Sequence, residues 1–307
     1  MHRQILLLAP LLCFVLMRQG DAADPSAAQV KMSAEELARL AEHRTLNAIK
    51  AAYAVTQSME GSSPRDPNLK SELAVSESVK FLIDLTSDRF LIEDQSPPRA
   101  DRKEVVANQQ VVAWDLKTFV SYGSRAETAR IFSKPPNARL ARLEPFLYAC
   151  LLYPPKPDGD GIEDGALISW IRDGSVHAEM EEVDGRRCCV VDRNRADGHP
   201  LARAWLDVER SLTPVKWQRL GNATEVVGEH HSKDFVEVSG DGRSIWLPMH
   251  VEIKIFRPKY VITRSISVDR DATSINPPIS QSSFQPKFPV GTRIYDPVSN
   301  TRYVVGE

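Results

Sequence analysis

One group of histidine and acidic side chains has the composition of a metal site. His230 and His231 are adjacent, Glu229 precedes them and Asp234 follows. Imidazole and carboxylate groups are zinc ligands, but neighbouring residues on a strand point to opposite faces, so these histidines are not expected to share one ion. The spacing H-E-x-x-H, which places two histidines on one helix face, does not occur in the sequence. We therefore predict surface histidines and no metal site.

A short acidic segment has the density of carboxylates that is found in calcium-binding loops. Four acidic residues lie between positions 158 and 164. An EF-hand loop that began at Asp158 would need acidic residues at its fifth and twelfth positions, where this chain has Ile162 and Ser169. We interpret the segment as a solvated loop.

Motifs that position a nucleophile or a phosphate group are absent from the sequence. G-x-S-x-G, the glycine-rich phosphate loop and G-x-G-x-x-G do not occur. The sequence therefore predicts a protein that is not an enzyme and that needs no cofactor. An unrecognised hydrolase stays open as an alternative, because residues distant in sequence can meet in the fold.

The N-terminus has the pattern of a secretory signal peptide. Arg3 gives a positive start, residues 5–17 form an apolar run, and Gly20, Asp21 and Ala22 provide a small-residue cleavage region. The run is too short to span a bilayer, which takes about 20 apolar residues. We predict a signal peptide at residues 1–22, secretion across the inner membrane, a periplasmic location and no membrane-spanning segment.

The composition limits the partners and the domain count. The formal net charge is −2 and 42% of the residues are hydrophobic. Nucleic-acid-binding proteins carry a basic excess, so no nucleic-acid partner is expected. The length suits a single domain over residues 23–307. Cys150, Cys188 and Cys189 remain after processing, and Cys150 either pairs with one of the other two or all three stay unpaired.

One helix is predicted ahead of the strands. Residues 31–53 begin with Ser33 and Glu36, which form a capping box, and carry one apolar stripe. This helix is expected to pack on a sheet. The segment at residues 124–165 is predicted as a helical and loop insertion, with a short helix at 126–131, that covers the concave face of that sheet.

Alternating apolar residues predict about ten antiparallel strands. The meander at residues 181–220 has strands at 188–191, 202–208 and 213–220, and a strand with Trp170 is expected at 166–171. Asp184-Gly185 and Asp241-Gly242 are typical of hairpin turns. Residues 286–307 are predicted to end the chain as a strand pair. The fold class is mainly β, α+β: a strongly curved, open antiparallel sheet, or half-barrel.

Several short segments resemble sequences of the LolA-like superfamily of periplasmic lipoprotein-sorting proteins and their RseB-like and LppX-like relatives. Over most of residues 30–307, the predicted elements follow one another in the same order as in that superfamily. The segments are Val183–Cys188, Ala204-Trp205-Leu206-Asp207, Leu212–Lys216, Gly242–Pro248, Phe288–Thr292, Tyr295-Asp296 and Tyr303-Val304-Val305.

The resemblance implies a carrier whose apolar half-barrel cavity holds acyl chains, with a lipid or a lipidated protein as the partner. The alternative is a protein-interaction or envelope-sensing module in the style of the RseB-like relatives, with an envelope protein as its partner. The expected cavity lining follows from strand parity. The lining residues are Phe81, Ile83, Phe90, Ile92, Trp114, Trp170, Trp217, Val251 and Ile253.

Overall fold

A computed structural model describes residues 32–61, 71–97, 108–133, 145–152, 167–195, 197–221, 225–297 and 299–306. The predicted signal peptide at residues 1–22 and the acidic segment at 158–164 lie outside these residues. Within them, no helix is long and apolar enough to cross a membrane.

The described residues form one open sheet of sixteen strands. Its order is β16-β15-β6-β5-β4-β3-β2-β1-β14-β13-β12-β11-β10-β9-β7, and β8 pairs with β9. The strands are β1 Ala48–Gly61, β2 Ser71–Asp84, β3 Arg89–Ser96, β4 Asn108–Trp114, β5 Phe119–Gly123, β6 Thr128–Phe132, β7 Gly174–Val176, β8 Glu181–Val183, β9 Arg186–Asn194, β10 Pro200–Asp207, β11 Thr213–Leu220, β12 Val226–Gly240, β13 Arg243–Arg257, β14 Tyr260–Ile275, β15 Arg293–Asp296 and β16 Thr301–Val304.

The mainly β class and the open sheet agree with the sequence prediction, but the strand count does not. Short edge strands such as β7 and β8, of three residues each, carry too few alternating positions to be read from sequence. The sheet is also mixed rather than purely antiparallel, because β15 pairs with β6 in parallel, with Ile294 opposite Ala129. The C-terminal pair β15–β16 thus adds to the edge of the sheet rather than continuing its meander.

The predicted helix at residues 31–53 is only half correct. Helix α1 spans Ala34–Glu42 and has the expected capping box of Ser33 and Glu36. The chain then becomes strand β1, where Ala51, Tyr53 and Val55 are buried and Ala54 and Thr56 are exposed. The period of two and the hydrogen-bonded neighbours β2 and β14 on both sides determine a strand here.

In two short segments the secondary structure differs from the predicted one. Residues 167–172 form helix α3 (Leu167–Arg172), not a strand, because a short continuous apolar run fits a buried helix as well as a buried strand. Conversely, residues 128–132 form strand β6 instead of the helix predicted at 126–131, since they pair with β5 and β15. Helix α2 (Pro145–Ala149) lies in the predicted insertion, most of which is outside the described residues.

Both Asp-Gly dipeptides make the predicted hairpin turns. Asp184 and Gly185 have φ of 51° and 72° between β8 and β9, and Asp241 and Gly242 have φ of 51° and 71° between β12 and β13. Positive φ at both central residues is typical of a type I′ turn, whose twist matches that of paired strands. The turn at Asp241-Gly242 fixes the register of the long β12–β13 pair.

The three α-helices pack on one face of the sheet, which we call the inner face. Core 1 contains inner-face residues of β1–β3, β5, β13 and β14 together with Phe146 and Leu147 of α2. Core 2 contains Leu37 of α1, Trp170 of α3, and inner-face residues of β9–β11. Tyr148 packs against both cores, so α2 is where they meet.

Candidate functional site

A row of apolar side chains crosses five neighbouring strands on the inner face. Cross-strand pairing places Ile83, Phe90, Trp114, Phe119 and Phe132 side by side on β2 to β6. The rings of Phe90 and Phe119 are 6.5 Å apart, and those of Phe119 and Phe132 are 6.0 Å apart. Directly paired residues point to the same face, so this row is one continuous apolar surface.

The predicted lining residues divide between the two cores. Phe81, Ile83, Phe90, Val251 and Ile253 are buried in core 1, and Ile92 and Trp114 pack against it while remaining partly exposed. Trp170 and Trp217 lie in core 2, with ring centroids 5.9 Å apart. Each sheet residue of the set lies on the inner face, as strand parity indicates, whereas Trp170 reaches it from α3. Whether they contact a ligand stays a prediction.

The inner face changes from apolar to polar along each of four strands. On β2 the sequence of inner positions is Ile83, Phe81, Val79 and then Glu77; on β3 it ends at Asp94. On β4, Gln110 pairs with Asp94, and on β1 the inner position that follows Val55, the partner of Glu77, is Gln57. Gln57 accepts a hydrogen bond of 2.7 Å from Arg264 Nε. We call Gln57, Glu77, Asp94 and Gln110 the polar rim, because they bound the apolar surface at one end.

Asp94 is the most strongly perturbed member of the polar rim. Burial, with a further contribution from the nearby Glu77 charge, raises the pKa of Asp94 to about 6. Its Oδ1 is buried, and the described residues provide it with no hydrogen-bond partner. A carboxyl group in this position changes its charge near neutral pH.

Helix α2 covers the centre of the apolar surface. The Phe146 ring lies 6.2 Å from Tyr53 of β1 and 6.5 Å from Phe81 of β2, and its side chain is fully buried. Several inner-face residues around this contact remain partly exposed, so the surface is not closed off from solvent. These are Ile92, Val112, Trp114, Phe132, Met249, Ile255 and Val268.

Arg44, in the connection between α1 and β1, is buried at the meeting point of the two cores. Its Nη1 donates a 2.6 Å hydrogen bond to Thr213 Oγ1, and Nη2 donates a 3.4 Å bond to the carbonyl of Cys150, just after α2. Burial lowers the pKa of Arg44 to about 10, which still leaves it charged at neutral pH. No carboxylate of the described chain pairs with it, and its Nε is unpartnered there.

Four rings form what we call the aromatic cluster: Tyr148, Trp170, Trp217 and His230. The His230 ring stacks on Trp217 at 3.8 Å with 13° between the planes, and Tyr148 meets both rings edge-on at 5.8 and 4.9 Å. His230 is 8% exposed, so the prediction that it is a surface histidine is wrong. Burial lowers its pKa to about 3, and it is therefore neutral at pH 7.

His231 points to the opposite face, as the strand alternation predicts. Its Nε2 lies 2.7 Å from Asp184 Oδ2 in the β8–β9 turn. No group of three or more histidine, cysteine or acidic side chains suited to a metal occurs in the part of the chain that is described. The three described cysteines are buried and form no disulfide bond with one another, and burial raises the pKa of Cys188 and Cys189 to about 12. Their thiols are therefore uncharged at neutral pH.

Comparisons with known proteins give structural similarities alone. No family model matches the chain, and no curated protein matches it. A DUF1329 family protein from Desulfovibrio piger is 15% identical with a TM-score of 0.46, over 82% of this chain and 95% of that chain. A putative outer membrane lipoprotein-sorting protein domain from Vibrio parahaemolyticus is 12% identical with a TM-score of 0.44, over 82% and 97%.

A LolA superfamily protein from Nitrosomonas europaea is 10% identical with a TM-score of 0.40, over 83% of this chain and 98% of that chain. The superfamily that the sequence resembles is thus named again among the similar structures. Since all three TM-scores are below 0.5, the case for a function depends on the geometry of this chain.

Proposed function

We propose that this chain is a non-catalytic, periplasmic binding protein that holds acyl chains of a lipid or a lipidated protein against the inner face of its sheet. The observation that carries the proposal is the apolar surface of β1–β6, bounded by the polar rim and covered by α2. Binding sites for apolar ligands are concave and mostly apolar with few polar groups, and this surface has that composition.

The arrangement of α2 supports a binding surface that opens. Phe146 occupies the centre of the apolar surface, between Tyr53 and Phe81. An acyl chain that entered there would replace the contacts of Phe146 with equivalent apolar contacts. The exchange therefore costs little in buried apolar area, which suits reversible loading and release.

The residues nearest the exposed part of the surface give the sharpest test. Ile92 and Leu91 are neighbours on β3, both partly exposed, with Ile92 against core 1 on the inner face and Leu91 on the outer face. Ile92→Asn places a polar group on the proposed binding surface, and Leu91→Asn is the matched control on the other side of the same strand.

The experiment is native mass spectrometry with lipid extraction on the chain recovered from a periplasm, for the wild type and both variants. We expect bound acyl lipid in the wild type and in Leu91→Asn, and a loss of most of it in Ile92→Asn. A wild-type protein free of lipid that also takes up no fatty-acid probe would reject the proposal and favour a protein-interaction module instead.

A further inference from the structure

The aromatic cluster contains buried polar atoms whose hydrogen-bonding capacity is unused. Trp170 Nε1, Trp217 Nε1 and His230 Nδ1 are all buried without a hydrogen-bond partner among the described residues. Trp170 and Trp217 are 0% and 1% exposed. A buried donor that lacks a partner costs free energy, so unpaired groups around one ring stack indicate that something else supplies an acceptor.

The chemistry of these groups limits what the acceptor is. Each indole N–H group donates one hydrogen bond and accepts none, whereas a neutral imidazole has one N–H donor and one acceptor nitrogen. Val191, Ala204 and Ile253 lie in the same cross-strand row as Trp217 and His230, and the charges of Arg193 and Arg219 lie near Tyr148. Such surroundings suit an oxygen acceptor attached to an apolar chain rather than a hydrated ion.

The position of the aromatic cluster links it to the proposed binding surface. Tyr148 belongs to α2, which covers that surface, and packs against both cores. Ile253 pairs with His230 and is itself part of core 1. An apolar chain lying on the inner face would therefore end beside the unpartnered nitrogens.

We infer that the aromatic cluster is the binding site for the acyl oxygens of a fatty acyl group. The indole N–H groups of Trp170 and Trp217 donate hydrogen bonds to these oxygens, and His230 lies beside them. The group is either the carboxylate of a free fatty acid or the carbonyl of an acyl ester. The inference rests on the proposed function and adds the chemical group that orients the acyl chain.

Competition against an apolar fluorescent probe, N-phenyl-1-naphthylamine, tests the inference with three ligands of similar length. Decanoate carries a carboxylate, methyl decanoate carries an ester carbonyl, and undecane carries no oxygen. In the wild type we expect at least one oxygen-bearing ligand to compete with an apparent affinity about fivefold higher than that of undecane. One or two hydrogen bonds account for a difference of this size. Which of the two it is identifies the source of the acyl oxygen.

Variants assign the preference to the cluster. His230→Phe keeps a ring against Trp217 but removes both nitrogens, and Trp170→Phe removes one indole donor. We expect either variant to reduce the preference over undecane to within about twofold. Trp205→Phe is the matched control, because Trp205 lies on the outer face and donates to Glu181 Oε2 at 2.7 Å. A thermal melt of each variant checks that it folds.

The outcomes separate the inference from the proposed function. If the wild type binds the probe but shows no preference for either oxygen-bearing ligand, the nitrogens serve a buried water or packing alone and the inference is wrong. A preference that persists in both His230→Phe and Trp170→Phe also overturns it. If the wild type binds no probe at all, the proposed function itself fails.

Discussion

Arg44 Nη1 lies 2.6 Å from Thr213 Oγ1, which joins the connection after α1 to the start of β11 inside the protein. Arg44 is 2% exposed. Thr213 Oγ1 also donates to the carbonyl of Arg210 at 2.6 Å. Hydrogen bonds, rather than an opposite charge, compensate the burial of the Arg44 guanidinium. We therefore expect the Thr213 hydroxyl to make a large contribution to the free energy of unfolding.

A double-mutant cycle measures this dependence. Thr213→Val leaves the buried charge of Arg44 with only the weak Cys150 carbonyl contact, and we expect a loss of about 3 kcal/mol in the free energy of unfolding. Arg44→Met replaces the charge with an apolar chain and should change stability by less than about 1 kcal/mol. Urea denaturation should then find the double variant more stable than Thr213→Val alone. Strictly additive effects would contradict the prediction.

Strand parity is readable from sequence because it depends on each strand alone. Phe81 and Ile83, or Val251 and Ile253, share a face whichever strands pair with them, and all four are buried in core 1. The segment after α1 is ambiguous in sequence because Ile49 and Tyr53 fit a helical spacing of four as well as a strand spacing of two. Pairing with β2 and β14 decides between the two, and the sequence does not display pairing.

The aromatic cluster is largely hidden in the sequence for the same reason. Trp170 and Trp217 belong to the predicted lining, but His230 is predicted at the surface. Its burial depends on Trp217 of the neighbouring strand and on Tyr148 of α2, which is far away in sequence. One signal is available in the sequence: Trp217 and His230 both occupy apolar-facing positions, on consecutive strands. This pattern indicates that His230 is buried beside the tryptophan.

Asp94→Asn should stabilise the protein at neutral pH. The pKa of Asp94 is about 6 in the folded state, above its ordinary value of 3.8, so the folded state binds the proton more tightly. Stability therefore falls as pH rises from about 4 to 6 and the penalty persists above pH 6. Two pKa units correspond to about 2.7 kcal/mol, and we expect about 1 kcal/mol because the group is half exposed.

Urea denaturation at several pH values checks this. The gain in Asp94→Asn should be present at pH 7.5 and absent below about pH 3, where the wild-type carboxyl is protonated in both states. Glu77→Gln, which removes the neighbouring charge, should give a smaller gain with the same pH dependence. A destabilised Asp94→Asn at pH 7.5 would mean that the carboxylate has a stabilising partner.

Asp84→Asn should have the opposite effect. Burial raises the pKa of Asp84, but hydrogen bonds from Ser87, Thr86 and Arg89 outweigh it and bring the pKa to about 2. The charged form thus stabilises the β2–β3 turn above pH 4, and this stability is lost as pH falls towards 2. The Arg89 Nη2 to Asp84 Oδ2 distance is 2.6 Å, and Asp84 is buried.

We expect Asp84→Asn to lower the free energy of unfolding at pH 7 by about 2 kcal/mol, with the gap narrowing below pH 4. Asp88→Asn in the same turn is the control, because Asp88 is exposed and takes no part in the Asp84 hydrogen bonds, so it should lose clearly less stability than Asp84→Asn. Equal losses in the two variants at pH 7 would show that the turn backbone, not the Asp84 hydrogen bonds, is responsible.

Phe146→Ala separates the cost of the α2 contact from its effect on binding. Phe146 is fully buried against Tyr53 and Phe81, so truncation should lower the free energy of unfolding by about 3 kcal/mol. If the side chain occupies the space that an acyl chain takes, the same variant should bind N-phenyl-1-naphthylamine several-fold more tightly, because the ligand no longer has to displace it.

Phe284→Ala is the matched control, since Phe284 is equally buried but lies in a turn of the linker after β14, against Arg89. It should lose comparable stability with unchanged probe affinity. Weaker probe binding by Phe146→Ala would mean that Phe146 forms part of the binding surface instead of covering it.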